Sequence, residues 1–342
     1  MNVQQAIAQI IANSDLSYEQ MTAVMRSIMH GEATDAQIGG FLIGLRLKSE
    51  TITEITAAAT VMRELSQGVD ISGLPNTVDI VGTGGDGAKT FNISTASMFV
   101  AAAAGCHVAK HGNRSVSSSS GSADVLEAAG TRIDLNPDQI AQCVRKLGIG
   151  FMFAPHHHGA MRYAIGPRRE LGVRTIFNVL GPLTNPARVP NQVLGIFDAS
   201  LLTPIVEVSK CLGNKHSLVV HSEDGLDEIS VGAATNIAEL QHGQIRYYSI
   251  APEDFGIQRT SVEALKVNNA QDSLQLIQKI FDNQPGPGRD IVALNAGAAI
   301  YVAGKAESLA AGYAMADSLI KDKLAQAKFR EFIEFTRNFA VN

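Results

Sequence analysis

A glycine-rich loop carries the clearest sign of chemistry in this sequence: residues 82–87 read Gly-Thr-Gly-Gly-Asp-Gly and follow the apolar stretch 78–81. Glycine lets a backbone turn its amides toward an anion and approach it closely. Residues 92–95, Asn-Ile-Ser-Thr, then cap a predicted helix, whose free N-terminal amides offer a second seat for phosphate. A tight strand-to-helix turn would need fewer glycines, so the loop predicts a site for a doubly phosphorylated small molecule.

Two known phosphate-binding motifs match this loop only in part. It contains G-x-G-x-x-G, but a dinucleotide site also needs an acidic residue about 20 positions later, where this chain has Lys110 and His111. Lys89 and Thr90 suggest a P-loop, but Ala88 replaces the required glycine and the spacing is one residue too long. Neither a nicotinamide-dependent oxidoreductase nor a P-loop NTPase is therefore favoured.

A second polar loop, residues 110–122, follows the next predicted strand. Its 13 residues contain two cations, an imidazole, an amide and six serine hydroxyls. Such groups can wrap a phosphate with charge-assisted and hydroxyl hydrogen bonds. The alternative is a flexible serine linker, but a linker would not join a buried strand to a helix. Two such loops at one sheet edge indicate two phosphate groups on one ligand.

An acidic turn, residues 224–228, follows the predicted strand 217–221 and ends in Asp227 and Glu228. Mg²⁺ prefers a few carboxylates together with water and substrate phosphate oxygens. An arbitrary turn of this composition would more often be solvated surface. Its position after a strand, at the edge where the two polar loops lie, favours a magnesium site instead.

Histidines and arginines form a further cluster. His156, His157 and His158 invite a zinc interpretation, but adjacent residues cannot easily share one metal, and no cysteine or carboxylate lies nearby at ligand spacing. Arg168 or Arg169 could form a bidentate pair with a planar carboxylate. Each could equally form a surface salt bridge, and the residues themselves do not choose between the two.

Composition excludes several classes of protein. The chain has 342 residues, 45% of them hydrophobic and 18% charged, so it can bury a large core, and its net charge of −5 argues against a nucleic-acid or anionic membrane surface as the main partner. The start has no signal-peptide pattern, and the longest nearly apolar run, 96–109, is shorter than the roughly 20 residues of a spanning helix. Three distant cysteines give neither a disulfide framework nor a metal site. We therefore expect a soluble cytoplasmic protein with buried thiols.

The first 70 residues predict short helices. Ser17, Thr34 and Thr51 each stand three residues before a Gln or Glu, the capping-box pattern that marks a helix start. Gly31 and Gly68 follow helical patterns, where a left-handed residue is favoured. These signals place four helices near 2–12, 17–30, 34–47 and 51–66.

Small residues mark one of these helices as a close-packing surface. Gly39, Gly40 and Gly44 would allow another helix to approach. That neighbour could belong to a second subunit or to the same chain, and the sequence supports both interpretations equally.

From residue 78 onward, short apolar runs alternate with helical patterns, which predicts a mainly parallel sheet flanked by helices. The fold class is α/β: a small helical domain at 1–70, with part of 165–190 packing nearby, and a larger α/β domain at 71–342. Residues 235–250 predict an antiparallel hairpin around Gly243. Strands are expected at 78–81, 107–109, 149–153, 193–197 and 217–221; helices from 94, at 123–129, 201–212, 272–282 and 289–303, and as one long helix at 307–337.

With these loops in hand, the chain resembles the anthranilate phosphoribosyltransferases. Four segments carry the resemblance: VGTGGDGAKTFNIST (81–95), KHGNRSVSSSSGSADVLEAAG (110–130), RRELGVRTIFNVLGPLTNPA (168–187) and DGLDE (224–228). The resemblance spans nearly the whole chain. It implies a homodimeric enzyme of tryptophan biosynthesis that uses 5-phosphoribosyl 1-pyrophosphate (PRPP) as donor, anthranilate as acceptor and Mg²⁺ as cofactor.

The resemblance also assigns roles to residues. Gly82, Asn113 and Arg168 would hold anthranilate, which selects Arg168 over Arg169, with His158 as a further pocket neighbour. Ser94, Asp227 and Glu228 would act around Mg²⁺. The residues that would surround PRPP are Gly82, Gly85, Asp86, Thr90, Asn92, Ile93, Ser94, Thr95, Lys110, His111, Gly112, Asn113, Arg114, Ser115, Val116, Ser117, Ser118 and Ser122.

The expected chemistry is displacement at the anomeric carbon of the ribose, with inversion and without an essential general base. Two positions depart from the family pattern: Ser119, where many relatives carry lysine, and Gly159, often proline. A pyrimidine nucleoside phosphorylase shares this architecture, but the aspartate-containing first loop and the acidic pair argue against it. A noncatalytic nucleic-acid-binding relative would need a basic groove, which the net charge of −5 disfavours.

Overall fold

The computed structural model describes residues 1–115 and 120–339. The chain opens with four helices, and each begins at a capping box. The three predicted boxes, at Ser17, Thr34 and Thr51, are confirmed, and Asn2 forms a fourth with Gln5. In each box the N-cap side chain accepts from the backbone amide three residues later, which satisfies a donor that the helix leaves free. The helices are α1 (Val3–Ile11), α2 (Tyr18–Met29), α3 (Asp35–Lys48) and α4 (Ile52–Leu65).

A seven-stranded sheet forms the centre of the α/β part, as the alternation of apolar runs predicted. The hairpin around Gly243 is confirmed, with left-handed backbone at His242 (φ 51°) and Gly243 (φ 75°) making the turn. The strands are β1 (Thr77–Gly82), β2 (His107–Gly112), β3 (Ile149–Phe153), β4 (Asn191–Gly195), β5 (His216–Ser222), β6 (Thr235–Gln241) and β7 (Gln244–Ile250).

The order of these strands creates a crevice. The order is β3-β2-β1-β4-β5-β6-β7; the first five are parallel and the hairpin is antiparallel. From β1 the chain adds β2 and β3 on one side and then returns to add β4 on the other side, so the order of strands reverses between β1 and β4. Ligands bind outside the carboxyl ends of strands at such a switch point. The predicted adjacency of the loops after β1 and β2 is confirmed. The end of β4, which the sequence did not single out, lies beside them.

Helices cover the sheet on both faces. Most of them follow the strands after which the sequence placed them, and four additional helices lie between residues 137 and 183. The helices are α5 (Ile93–Ala103), α6 (Ser122–Ala128), α7 (Pro137–Leu147), α8 (Ala154–His157), α9 (Arg162–Leu171), α10 (Phe177–Leu183), α11 (Leu202–Cys211), α12 (Ala270–Phe281), α13 (Pro287–Val302), α14 (Leu309–Lys321) and α15 (Leu324–Arg337).

Two of the expected helix boundaries are wrong. The segment 307–337 is not one helix, because Lys323 adopts a left-handed conformation (φ 59°) that ends α14 and begins α15. Gly68 is not a left-handed cap, since α4 already ends at Leu65 and the backbone of the next residue, Ser66, is extended (φ −74°, ψ 147°). Gly31, by contrast, has the expected positive φ of 77° after α2.

The hydrophobic core lies on both faces of the sheet. Val193 and Leu194 of β4 are buried in different clusters, as successive residues of a strand must be. The cluster around Val193 contains α5, α7 and α12–α15, whereas the cluster around Leu194 contains α1–α4 and α9–α11. The N-terminal helices therefore share one continuous core with a face of the sheet.

The cysteines only partly match the expectation of buried thiols. Cys106 and Cys143 are buried, but Cys211 is exposed because it ends α11 at the surface. Within residues 1–115 and 120–339, no helix is both long enough and apolar enough to cross a membrane.

Candidate active site

The glycine loop after β1 is shaped by three left-handed residues, Gly84 (φ 66°), Gly85 (φ 77°) and Gly87 (φ 75°), a conformation that other residues adopt only with strain. The Gly84 amide donates a 2.7 Å hydrogen bond to Asp227 Oδ2. The Thr83 amide donates to the carbonyl of Gly195 at 2.9 Å. The loop is thus fixed at one end to the acidic turn and to the end of β4.

Asp227 lies so close to two strand ends that both must be glycine. A Cβ added to Gly82 would stand 2.9 Å from Asp227 Cγ and would overlap Oδ2. A Cβ on Gly195 would overlap the backbone of Asp227. Gly82 was predicted as a site residue; Gly195 was missed, although a glycine at the end of a strand next to β1 is a usable sequence signal.

Asp227 and Glu228 form an unfavourable pair in the absence of a cation. Both residues keep some exposed surface, but their carboxyl groups are enclosed by protein. Burial, and next the charge of Asp86, raises the pKa of Asp227 to about 7. Burial, and next the charge of Asp227, raises the pKa of Glu228 well above its usual value, while Lys110 opposes this shift. The backbone amide of Ser94 also faces the Glu228 carboxyl.

The carboxylates of Asp227 and Glu228 are suitable ligands for a magnesium ion. The described residues contain no group of three or more His, Cys, Asp or Glu arranged to hold a metal, and Mg²⁺ does not need one, because it keeps waters and uses substrate oxygens. Two neighbouring carboxylates whose ionisation is disfavoured would gain from a divalent cation. The predicted metal-site residues Asp227, Glu228 and Ser94 are thus brought together.

Lys110 supplies a positive charge to the crevice. Its side chain is buried, with the residue 1% exposed, and Nζ donates to Ser94 Oγ at 3.1 Å and to the carbonyl of Ile80. Burial lowers its pKa, while Asp79, Glu228 and Asp227 oppose this shift. Lys110 therefore links the end of β1 to the first turn of α5, beside the carboxylate pair.

Asp79 is a buried carboxylate near Lys110 that contacts β2 and Asn185. It is fully buried, and its Oδ2 accepts a 2.8 Å hydrogen bond from Asn185 Nδ2, while Oδ1 accepts from the His111 amide at 3.3 Å. Burial raises the pKa of Asp79 to about 6, with Lys110 opposing the shift. Neither Asp79 nor Asn185 was predicted, because a buried strand aspartate gives no distinctive sequence signal.

The first turn of α5 differs from the prediction. Asn92 occupies the N-cap position but makes no capping hydrogen bond. Its side chain instead pairs with Ser120 (Oγ to Oδ1, 2.8 Å) and with Ser273 (Oγ to Oδ1, 3.0 Å). Thr95 Oγ1 donates to Ser122 Oγ at 3.0 Å. The predicted residues of both loops therefore meet at the first turn of α5.

The two cations of the second loop, Lys110 and Arg114, contact different parts of the protein. Arg114 faces α6, where Nη2 donates to Glu127 at 2.7 Å and Nη1 reaches Asp124 at 3.3 Å. The Arg114 amide donates to Asn113 Oδ1 at 2.7 Å, and the Ser115 amide donates to Asp124 at 3.0 Å. Of the two loop cations, only Lys110 points into the carboxylate crevice. Val116, Ser117, Ser118 and Ser119 lie outside the described residues.

The other residues that were predicted to surround PRPP lie on the same loops. Asp86 Oδ1 accepts from the Ala88 amide at 3.1 Å, which closes a short turn. Thr90 forms an isolated antiparallel bridge with Lys266. Ile93 is buried beneath the first turn of α5, and Gly112 ends β2.

Two buried histidines lie together beside this crevice. The rings of His111 and His158 have centroids 5.1 Å apart, and neither Nε2 has a hydrogen-bond partner within the described chain. Burial, and next the proximity of His158, lowers the pKa of His111 well below its usual value; burial lowers the pKa of His158 to about 4. Both rings are therefore neutral near pH 7 and present an unsatisfied polar atom.

Arg168 and Arg169 sit differently on α9. Arg168 is half-buried, with its guanidinium 5.1 Å from the Phe177 ring centroid, and burial lowers its pKa. It forms no ion pair with any described residue. Arg169 is exposed on the outer side of the helix. Of these two arginines, Arg168 has the partly desolvated charge without an ion pair that suits a bound carboxylate.

The sequence did not indicate Arg174 as a site residue. Its guanidinium lies 3.8 Å from the centroid of the Phe197 ring and donates to the carbonyl of Gly85 in the glycine loop. Phe197 follows β4, whose end was not considered as part of the site. Because both residues act across segments far apart in sequence, no local pattern marks them.

The fold and the crevice together define a class. A helical bundle and an α/β domain are the two parts of the glycosyl transferase family, whose helical bundle domain matches residues 4–66 and whose a/b domain matches residues 74–326. The chain is 57% identical over 336 residues to the anthranilate phosphoribosyltransferase of Thioalkalivibrio sulfidiphilus, covering 98% of this chain and 99% of that one. It is 58% identical over 341 residues to the enzyme of Cellvibrio japonicus, with 98% and 99% covered. The chain belongs to the anthranilate phosphoribosyltransferase family.

Solved structures have the same architecture. The anthranilate phosphoribosyltransferase of Thermus thermophilus superposes with a TM-score of 0.92 at 41% identity, covering 97% of this chain and 99% of that one. The Saccharomyces cerevisiae enzyme, solved in complex with PRPP and Mg, gives a TM-score of 0.90 at 22% identity, with 98% of each chain covered. The latter likeness is one of fold.

Proposed function

We propose that this protein transfers the 5-phosphoribosyl group of PRPP to the amine of anthranilate, giving N-(5-phosphoribosyl)anthranilate and pyrophosphate for tryptophan biosynthesis. The observation that carries the proposal is the buried Asp227–Glu228 pair, held against the glycine loop and the first turn of α5 with Lys110 beside it. Family membership supports the choice of substrates. The glycine loop, α5 and the second loop form the donor site, with the residues assigned to PRPP above.

The donor site is arranged to stabilise a leaving pyrophosphate. Mg²⁺, held by Asp227, Glu228 and Ser94, would neutralise negative charge on the phosphate oxygens. Lys110, whose Nζ donates to Ser94 Oγ at 3.1 Å, places a positive charge beside the same carboxylate pair before substrate binds. Prearranged donors stabilise charge that grows in the transition state without further reorganisation.

The acceptor site lies toward α9. Arg168 would pair with the carboxylate of anthranilate, and Asn113 and Gly82 would border the ring on the donor side. The neutral imidazoles of His111 and His158 offer polar contacts without adding charge. The Arg168 clamp would align the aromatic amine behind the anomeric carbon.

The reaction needs few groups from the protein. The bond between the anomeric carbon and pyrophosphate oxygen breaks as the amine nitrogen bonds to that carbon, and the nitrogen then loses a proton to solvent. A neutral aromatic amine is already nucleophilic, so no essential general base is required. The buried histidines do not contradict this proposal, because the pKa of His158, about 4, makes it a poor base at neutral pH.

We further propose a helical domain at 1–70, an α/β domain at 71–342, a homodimer and a cytoplasmic location. The outer surface of the N-terminal helices supports the dimer: Ile11 is 77% and Leu47 is 82% exposed, and nothing lies within 4 Å of a Cβ built on Gly39. Gly44 instead faces its own chain, because a Cβ built on it would stand 2.9 Å from Ile10 Cγ2. Sedimentation equilibrium of the wild-type protein tests the dimer.

An assay of anthranilate fluorescence tests the proposed function. Purified protein is mixed with PRPP, Mg²⁺ and anthranilate, and parallel reactions omit each component or supply a pyrimidine nucleoside with phosphate instead. Fluorescence should fall only in the complete mixture. Loss of nucleoside without loss of anthranilate would show that the protein is a phosphorylase, and the proposal would be wrong.

The Arg168→Ala variant tests the acceptor site. Losing a charge-assisted hydrogen bond to the carboxylate should raise the KM for anthranilate roughly tenfold or more, with a small change in the KM for PRPP. Arg169→Ala, which removes an exposed charge from the same helix, is the matched control. An unchanged anthranilate KM in Arg168→Ala would contradict the clamp.

A further inference from the structure

The carbonyl side of the glycine loop needs support that the donor site does not provide. A loop that turns its amides toward an anion directs carbonyls away from it, and those carbonyls need donors elsewhere. At Gly85 this donor is the Arg174 guanidinium, whose Nε and Cζ would lie 3.6 Å and 3.7 Å from a Cβ built on Gly85.

Phe197 holds the Arg174 guanidinium in place. The ring centroid lies 3.8 Å from Cζ of Arg174, a stacking distance at which the face of an aromatic ring attracts a planar cation. The Phe197 amide donates to Thr83 Oγ1 at 3.1 Å, and the Thr83 amide donates to Gly195 at 2.9 Å. These contacts thus form a closed circuit that joins the glycine loop, the end of β4, Phe197 and Arg174.

Arg174 also connects this loop to the acceptor side. Helix α9 ends at Leu171 and is capped by left-handed Gly172 (φ 62°), and Arg174 follows two residues later. Arg168, the proposed carboxylate clamp, lies on the last turns of that helix. One short segment therefore carries both Arg174, which contacts the glycine loop, and Arg168, the proposed clamp.

We propose that Arg174 is a positioning residue that holds the glycine loop in its donor-binding conformation from the acceptor-side segment. A glycine-rich loop loses much conformational freedom when it is ordered, and a contact that orders it beforehand raises ligand affinity. The planar fork of arginine is required, because lysine cannot stack on Phe197 and donate to Gly85 in the same way. This proposal rests on the proposed function, since the affected ligand is PRPP.

The kinetic test uses Arg174→Lys and Arg174→Ala, with Arg169→Ala as control. Both Arg174 variants should raise the KM for PRPP roughly tenfold, while the KM for anthranilate changes less than about threefold and the thermal midpoint stays near that of wild type. Phe197→Leu should act in the same direction. A wild-type KM for PRPP in Arg174→Lys, or an equal rise of both KM values, would overturn the proposal.

A second measurement needs no substrate. Amide hydrogen exchange of residues 83–87 in the ligand-free protein should be faster in Arg174→Lys than in wild type or Arg169→Ala, with exchange in β1 unchanged. Unchanged exchange in the loop would overturn the positioning role. If wild type failed to transfer the phosphoribosyl group, the proposed function would fail, and the exchange result would still decide whether Arg174 orders the loop.

Discussion

At the scale of single residues, the site depends on contacts too close for any larger side chain. Asp227 can support the glycine loop only because positions 82 and 195 lack a Cβ. Residue type and position after a strand were enough to predict Gly82, Lys110 and Asp227. They were not enough for Gly195 and Arg174, because each acts on a segment that is distant in the chain.

Replacing Gly82 with alanine tests this close approach. The new Cβ would displace the Asp227 carboxyl, and a misplacement of about 1 Å in an active site can reduce activity about 100-fold. The free energy of unfolding should fall by only about 1–3 kcal/mol. Steady-state kinetics and urea unfolding measure the two effects. Gly68→Ala is the control, since its Cβ would make only an ordinary contact, 3.7 Å from the carbonyl oxygen of Pro186; full activity in Gly82→Ala would contradict the geometry.

His158 gives a prediction about pH and stability. The pKa of His158 in the folded protein is about 4, below the usual 6.5. Between these two pH values the unfolded chain therefore binds a proton at His158 and the folded protein does not. Its contribution to stability is therefore complete above pH 6.5 and is lost as the pH falls toward 4. By pH 5 the loss should be roughly 2 kcal/mol.

Urea unfolding of wild type and His158→Asn at pH 7 and pH 5 checks this prediction. Asparagine keeps polar atoms near the Thr184 backbone but does not titrate. The fall in stability between the two pH values should be smaller in the variant, although His111 and His157, whose pKa values burial also lowers, still contribute. An equal fall in both proteins would contradict the assignment.

At the scale of elements, local signals predicted those parts of the fold that local interactions determine. The capping boxes of α2, α3 and α4 are visible in the sequence because the two partners lie three residues apart. The break at Lys323 was missed because lysine carries no turn signal. Helices α9 and α10 were not predicted, because they contain Pro167 and Pro182, and proline usually interrupts a helix.

Glu54 shows how a local cap can serve several elements. Its carboxylate accepts from the Thr51 amide at 2.8 Å, from the Leu16 amide at 2.9 Å and from Lys48 Nζ at 3.0 Å, and the residue is fully buried. Glu54→Ala should reduce the free energy of unfolding by about 3 kcal/mol, because it leaves buried donors without acceptors.

The matched control for Glu54 is Ser17→Ala, which removes an exposed cap and should lower stability by about 1 kcal/mol. Chemical unfolding of both variants gives the comparison. Equal losses would mean that Glu54 acts as an ordinary cap and does not join α4 to the neighbouring helices.

At the scale of the whole molecule, strand order brings the site together. The alternation of apolar runs predicted a mainly parallel sheet, but not that β1 lies between β2 and β4. That placement sets the glycine loop, the second loop, the acidic turn and Phe197 at one crevice. The common core of the N-terminal helices, α9–α11 and one face of the sheet then fixes the acceptor side relative to it.

The most direct test of the account is the stoichiometry of the wild-type reaction with PRPP, Mg²⁺ and anthranilate. Pyrophosphate is measured with a coupled enzymatic assay and anthranilate by its fluorescence in the same sample. We expect one pyrophosphate released for each anthranilate consumed, and no release when anthranilate is omitted. Pyrophosphate release without anthranilate consumption, or no reaction in the complete mixture, would contradict the account.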